Sequence, residues 1–226
     1  WAGDQDYEGC ESNLVVIRCF KKASYISVSI AKTPIVFNSS QTVSGILDPS
    51  IANATIVVTY VKPDGSMFNS TTKTTIDGRF SNVIIVDAVG EWNVVASWKG
   101  NDHYEGNMSK KIKFLVEKIQ PIIVISTTSE FITIGESIRI LGTTTPKIAS
   151  TTVSITYTKP NGDKVTRNVL TDPDGNFQDS CLTDTAGSWK VQASYSGDDV
   201  RENTISNTLI VTVNPPPVSP IIGLAV

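Results

Sequence analysis

Apolar and polar residues alternate with a period of two along most of this chain. Trp189, Val191, Ala193 and Tyr195 are separated by Lys190, Gln192 and Ser194, while Val153, Ile155 and Tyr157 are separated by Ser154 and Thr156. Successive side chains of a strand point to opposite faces, so such a row buries one face and wets the other. Leu209, Val211 and Val213 form a third inward row, and Ile112, Phe114 and Val116 a fourth. No window sustains the i, i+3, i+4, i+7 apolar pattern of a helix, so helix is expected to be absent. Lys62-Pro63-Asp64-Gly65 and Lys159-Pro160-Asn161-Gly162 read as tight turns, with proline fixing φ and the later glycine accepting positive φ. Asp77-Gly78 and Asp174-Gly175 turn the chain again one strand later, each followed by a phenylalanine, Phe80 or Phe177. Turns at this spacing leave room for roughly six to seven strands in a unit of this length, the pattern of an antiparallel sandwich.

The pattern repeats. A shift of 97 residues brings Gly45 onto Gly142, Pro49 onto Pro146, Lys62-Pro63 onto Lys159-Pro160, and Gly90 and Trp92 onto Gly187 and Trp189. Between residues 45–116 and 142–213 about 25 of 72 positions are identical without a gap, which marks a tandem duplication. The same shift lays Trp1, Gly3, Tyr7, Glu8, Gly9 and Ser12 on Trp98, Gly100, Tyr104, Glu105, Gly106 and Ser109. Residues 1–21 therefore read as the last turn and closing strand of another repeat.

In that register Val15, Ile17 and Cys19 face a core, and Trp1 takes the core position of Trp98 and Tyr195. Such a strand needs a partner, since its ladder groups and apolar face would otherwise form a sticky edge. An upstream part of the polypeptide can complete the sandwich. A neighbouring subunit accepting the strand by β-augmentation is the alternative, and it leads to filaments. Cys10 and Cys19 lie nine residues apart on an extended segment, about 30 Å, too far for a disulfide. A bond between them would exclude the closing-strand reading.

Each repeat thus carries a DG-x-F turn, a G-x-W-x-V-x-A-x-[WY] strand, a G-x-D turn and a closing alternating strand. This combination resembles the immunoglobulin-like repeats of bacterial and archaeal cell-surface proteins. The resemblance implies an all-β fold of tandem Greek-key sandwiches and an extracellular, non-enzymatic role as spacer, stalk or filament subunit. Such repeats also occur as ancillary regions of surface-anchored enzymes and as ligand-binding adhesins, so those readings stay open. The paired cysteines of antibody domains are missing. Cys181 falls on the position of Ile84 and reads as a free, buried apolar substitute.

The boundaries that follow are 1–21 for the closing or donated strand, 22–118 and 119–214 for two sandwiches, and 215–226 for a proline-rich linker opening an apolar segment. The junction Glu117-Lys118-Ile119-Gln120-Pro121 holds no Gly or Ser, so it should limit hinge motion. Pro215-Pro216-Pro217 favours polyproline II. The apolar run Ile221 to Val226 reads either as the start of a membrane anchor or as a strand.

Charge adds an exclusion. Nineteen Lys and Arg against 22 Asp and Glu give a net charge of −3, without the basic clustering that nucleic acid requires. The lone histidine, His103, falls in a turn, and with no second histidine there is neither a zinc set nor a nucleophile–base pair. No cofactor or small-molecule ligand is expected. Asp172, Asp174, Asp198 and Asp199 read as turn formers, with calcium ligation the competing chemistry. Trp92 and Trp189 read as core residues in preference to carbohydrate platforms. Four N-x-[ST] sequons, at Asn38, Asn53, Asn69 and Asn107, are candidate glycosylation sites on turns or strand ends.

Overall fold

The computed structural model describes residues 1–217, and no helix occurs among them. Strand pairing divides the described residues into two units. In the first, β1 (Tyr25–Ile30), β2 (Ile35–Val36), β3 (Ser40–Asp48), β4 (Thr55–Val61), β5 (Met67–Lys73), β6 (Arg79–Ile85), β7 (Gly90–Gly100), β8 (Glu105–Met108) and β9 (Ile112–Glu117) make two sheets. One sheet has the order β1-β3-β6; the other runs β2-β9-β7-β4-β5, with β8 paired to β7.

The second unit repeats this strand for strand: β10 (Ile122–Thr127), β11 (Phe131–Thr133), β12 (Ser137–Thr145), β13 (Thr152–Thr158), β14 (Lys164–Leu170), β15 (Asn176–Leu182), β16 (Gly187–Tyr195), β17 (Thr204–Ile205) and β18 (Leu209–Asn214). Its sheets are β10-β12-β15 and β11-β18-β16-β13-β14, with β17 beside β16. This is the immunoglobulin-like arrangement. Two short strands per unit join the seven longer ones. Of these, β2 and β11 run parallel to β9 and β18, in the pairs Ile35↔Val116 and Phe131↔Thr212, so one sheet of each unit is mixed.

The inward rows supply the core. In the second unit Ile123, Ile138, Ile140, Phe177 and Cys181 from the smaller sheet meet Val153, Ile155, Tyr157, Trp189, Val191, Val211 and Val213 from the larger. Trp92 and Trp189 are fully buried, as alternation requires, and Cys181 is buried with a free thiol. The Lys-Pro-x-Gly turns close as expected: Gly65 N donates to Lys62 O and Gly162 N to Lys159 O, both at 2.9 Å, with glycine φ of 84° and 92°.

A buried tyrosine ties the two sheets of each unit together. Tyr60 Oη donates to Asn82 Oδ1 at 2.8 Å, and Tyr157 Oη donates to Asp179 Oδ2 at 2.9 Å. Burial pushes both phenols well above their usual range, and the Asp179 carboxylate adds to this for Tyr157. Hydrogen bonds to charged partners are worth about 1.5–3 kcal/mol, against about 1 kcal/mol for neutral ones. Tyr157→Phe is therefore expected to cost the second unit more than Tyr60→Phe costs the first, by about 1 kcal/mol in denaturant melts.

Candidate strand-pairing site

One turn occurs three times. Gly3, Gly100 and Gly197 have φ of 83°, 83° and 84°. The next residue closes the turn through its amide, Asp4 N to Tyr7 O at 2.9 Å, Asn101 N to Tyr104 O at 3.0 Å and Asp198 N to Arg201 O at 3.0 Å. Its side-chain Oδ1 accepts two further amides: those of Asp6 and Tyr7, of His103 and Tyr104, and of Val200 and Arg201. Glycine is required here, because a Cβ on Gly3 would lie 2.4 Å from Gly9 N and one on Gly100 2.6 Å from Gly106 N.

In the two complete units this turn holds the chain segment that leads into the unit. Lys22 N donates to His103 O at 2.9 Å and Glu105 N to Lys22 O at 2.8 Å; Ile119 N donates to Val200 O and Glu202 N to Ile119 O, both at 2.9 Å. Both contacts are parallel bridges. Ile119 is thus bonded into the second unit with only Lys118 between it and the end of β9. In the first copy of the turn the corresponding atoms are the Asp6 carbonyl and the Glu8 amide, and they have no partner among the described residues.

The segment after that turn behaves unlike its counterparts. Val15 is 78% exposed and Ile17 82%, and Cys19 is exposed, whereas in register Ile112 and Leu209 are half-buried and Phe114, Val116, Val211 and Val213 are buried. Trp1 is 66% exposed, against 5% for Trp98 and 6% for Tyr195. Residues 9–21 belong to no strand or helix, and Leu14, Val16 and Phe20 are exposed as well. Leaving Val15 and Ile17 in water forgoes about 1.5–3 kcal/mol each. Cys10 and Cys19 are both free.

The remaining candidates take local roles. His103 is exposed and contributes its backbone to the Lys22 bridge. Asp172 Oδ1 accepts the amides of Asp174 and Asn176, while Asp174 pairs with Lys147 at 2.7 Å. Lys159 pairs with Asp184 and lies 5.7 Å from the Trp189 ring centre, a cation–π stack that the alternation does not announce. Among the described residues no group of three His, Cys, Asp or Glu is placed to hold a metal.

The second unit's acidic turns make it sensitive to acid. Burial opposes the charge on Asp198, but the neighbouring Tyr195 hydroxyl, the Val200 amide and the Arg201 guanidinium and amide outweigh it and lower the pKa to about 2. The Asn176 amide lowers Asp172, and the hydrogen bond from Lys159 lowers Asp184. A carboxylate with a depressed folded-state pKa stabilises the fold above its unfolded value near 3.9, and that contribution is lost as pH falls through the folded value. The Asp198 side chain is 37% exposed. After allowance for solvent screening, its contribution is about 1 kcal/mol. Between about pH 4 and 2 the second unit should lose more stability in denaturant melts than the first, which has Thr75 and Asn101 at the positions of Asp172 and Asp198.

No family model and no curated protein matches the chain. Among solved structures, it is similar to a tetra-tandem repeat in the extending region of a large adhesion protein, at 19% identity and a TM-score of 0.47, covering 84% of this chain and 49% of that one. The D0-D1 domain of intimin matches at 15% identity and a TM-score of 0.32, over 82% of this chain and 97% of that one. The fibronectin(III)-like modules of Clostridium thermocellum CbhA match at 15% and 0.34, over 83% and 94%. The chain spans about half the length of the first of these. Strand order and register show the fold independently of these likenesses.

Proposed function

We propose that this chain is a non-catalytic structural module of a prokaryotic cell-surface protein, a semi-rigid extracellular spacer built from immunoglobulin-like units in tandem. The observation that carries the reading is the linker. A single residue, Lys118, separates the last residue of β9 from Ile119, which is already bonded into the second unit, and the Lys118 ammonium itself donates to Asp198 O at 2.7 Å. A connection with so little unbonded backbone suits a spacer better than a flexible tether. The test is a spin-label distance between Lys73→Cys and Leu170→Cys, equivalent exposed strand ends, in a Cys10→Ser, Cys19→Ser background. A single narrow distribution is expected; a broad one, as from a freely jointed linker, would overturn the spacer reading.

An extracellular location makes the sequons relevant. Asn38 and Asn53 are exposed at positive φ, 62° and 60°, and Asn69 is exposed on the edge strand β5. Asn107 differs: its Nδ2 donates to Ser24 O, and the sequon's Ser109 is buried, with its hydroxyl accepting the Ala96 amide. The amide nitrogen of Asn107 is therefore engaged in the fold. Mass spectrometry of protein from its native source is expected to find glycan at Asn38, Asn53 and Asn69 and none at Asn107. The apolar run 221–226, a candidate membrane anchor or strand, lies outside the described residues.

A further inference from the structure

We infer that residues 1–21 complete another immunoglobulin-like unit of this same repeat, one that precedes the first sandwich in the same polypeptide. The inference deepens the spacer reading by naming the partner of the exposed segment.

Three observations converge on it. The turn at residues 3–7 reproduces the other two copies in glycine φ, in the closing backbone bond and in the side-chain cap from Asp4. The Asp6 carbonyl and Glu8 amide stand where His103 and Glu105 grip Lys22, so the turn presents an unfilled seat for an extended chain. Finally, Trp1, Ile17 and Cys19 are exposed at the positions where the complete units bury Trp98 or Tyr195, Phe114 or Val211, and Val116 or Val213, and Val15 is exposed where they half-bury Ile112 or Leu209.

The spacing identifies the occupant. Cys19 is three residues ahead of Lys22, just as Val116 is three residues ahead of Ile119. In that second case the closing strand β9 belongs to a sandwich whose other strands precede it in the same chain. The same relation assigns residues 13–20 to a preceding unit, with Cys19 facing its core. A one-residue slip would turn Val15, Ile17 and Cys19 to the outer face, so the register is part of the inference.

The test joins a copy of residues 119–194 ahead of Trp1 in the full chain, so that the junction recreates Ser194–Tyr195 in register. A second fusion uses residues 22–97 in the same way. An added cooperative unfolding transition is expected, with Cys19 reacting with a maleimide at least ~100-fold more slowly than Cys10. In the chain alone both should react alike. Inserting one glycine after Asn13 of the fusion is expected to restore Cys19 reactivity.

The inference is overturned if neither fusion gains a transition, or if Cys19 stays as reactive as Cys10. It is also overturned if, in the chain alone, protection of Cys19 grows with protein concentration, which would make a neighbouring chain the partner. The spin-label pair at 73 and 170 does not involve this segment, so the spacer reading stands or falls separately.

Discussion

Trp92→Ala is expected to destabilise the first unit by about 3–5 kcal/mol while the second unit's unfolding transition keeps its own midpoint. Trp92 is fully buried; its ring stacks on Phe114 with centroids 5.8 Å apart and meets Phe68 edge-on at 6.3 Å. Lys62 Nζ lies 5.8 Å from the Trp92 ring centre and as far from Phe68. Removing the indole opens a cavity among groups fixed by strands on either side, and those strands relax only in part. Domains of this size have about 5–15 kcal/mol of total stability, so the loss brings the first unit close to unfolding. Calorimetry of the variant should resolve two transitions, with the first unit's at the lower temperature. Trp189→Ala should have the converse effect, because Trp189 takes the same place in the second unit and donates Nε1–H to Thr185 O at 2.8 Å.

The second large effect has a sign opposite to the usual strand rule. Glycine inside a strand normally costs about 0.5–1 kcal/mol relative to alanine. At Gly45 and Gly142 alanine should be the worse residue. A Cβ on Gly142 would lie 2.1 Å from Cζ of the Phe177 ring, and one on Gly45 would lie 2.2 Å both from Phe80 Cζ and from the Ser27 carbonyl oxygen. Each phenylalanine lies across the glycine paired with it, Gly45↔Phe80 and Gly142↔Phe177, and fills the space that a side chain would take. Overpacking of this kind costs about 1–3 kcal/mol, with Gly45→Ala at the upper end because a backbone carbonyl cannot turn aside. In double-mutant cycles Phe177→Leu should relieve most of the Gly142→Ala penalty, and Phe80→Leu only part of the Gly45→Ala penalty. Additive costs in both cycles would contradict this packing.

Much of the fold could be read in the sequence because buried-face alternation and turn chemistry act locally. The rows ending in Tyr195, Tyr157 and Val213 became strands with the expected faces inward, and a gapless shift of 97 residues aligned every later element. The short strands β2 and β11 could not be read. Their two or three residues pair in parallel with strands far along the chain, and that pairing leaves no local periodicity. The lysine stacks at Lys62 and Lys159 leave no local sequence signal for a related reason, since each joins a turn to an aromatic ring about 30 residues away.

The segment around Val15 and Ile17 shows what alternation cannot do. The same pattern that makes β9 and β18 strands leaves residues 13–20 without a ladder, because a strand is made by its neighbour as much as by its sequence. At Asn107 the sequon is intact, but a long-range bond to Ser24 decides whether its amide is available.

Amide exchange across the chain alone at low concentration tests most directly the claim that a closing strand owes its burial to the unit completed by it. Leu14 to Cys19 should exchange at near-unfolded rates, while Ile112 to Val116 and Leu209 to Val213 should be protected by at least ~1,000-fold. Protection of Leu14 to Cys19 matching that of the other two strands, in a monomer, would contradict it.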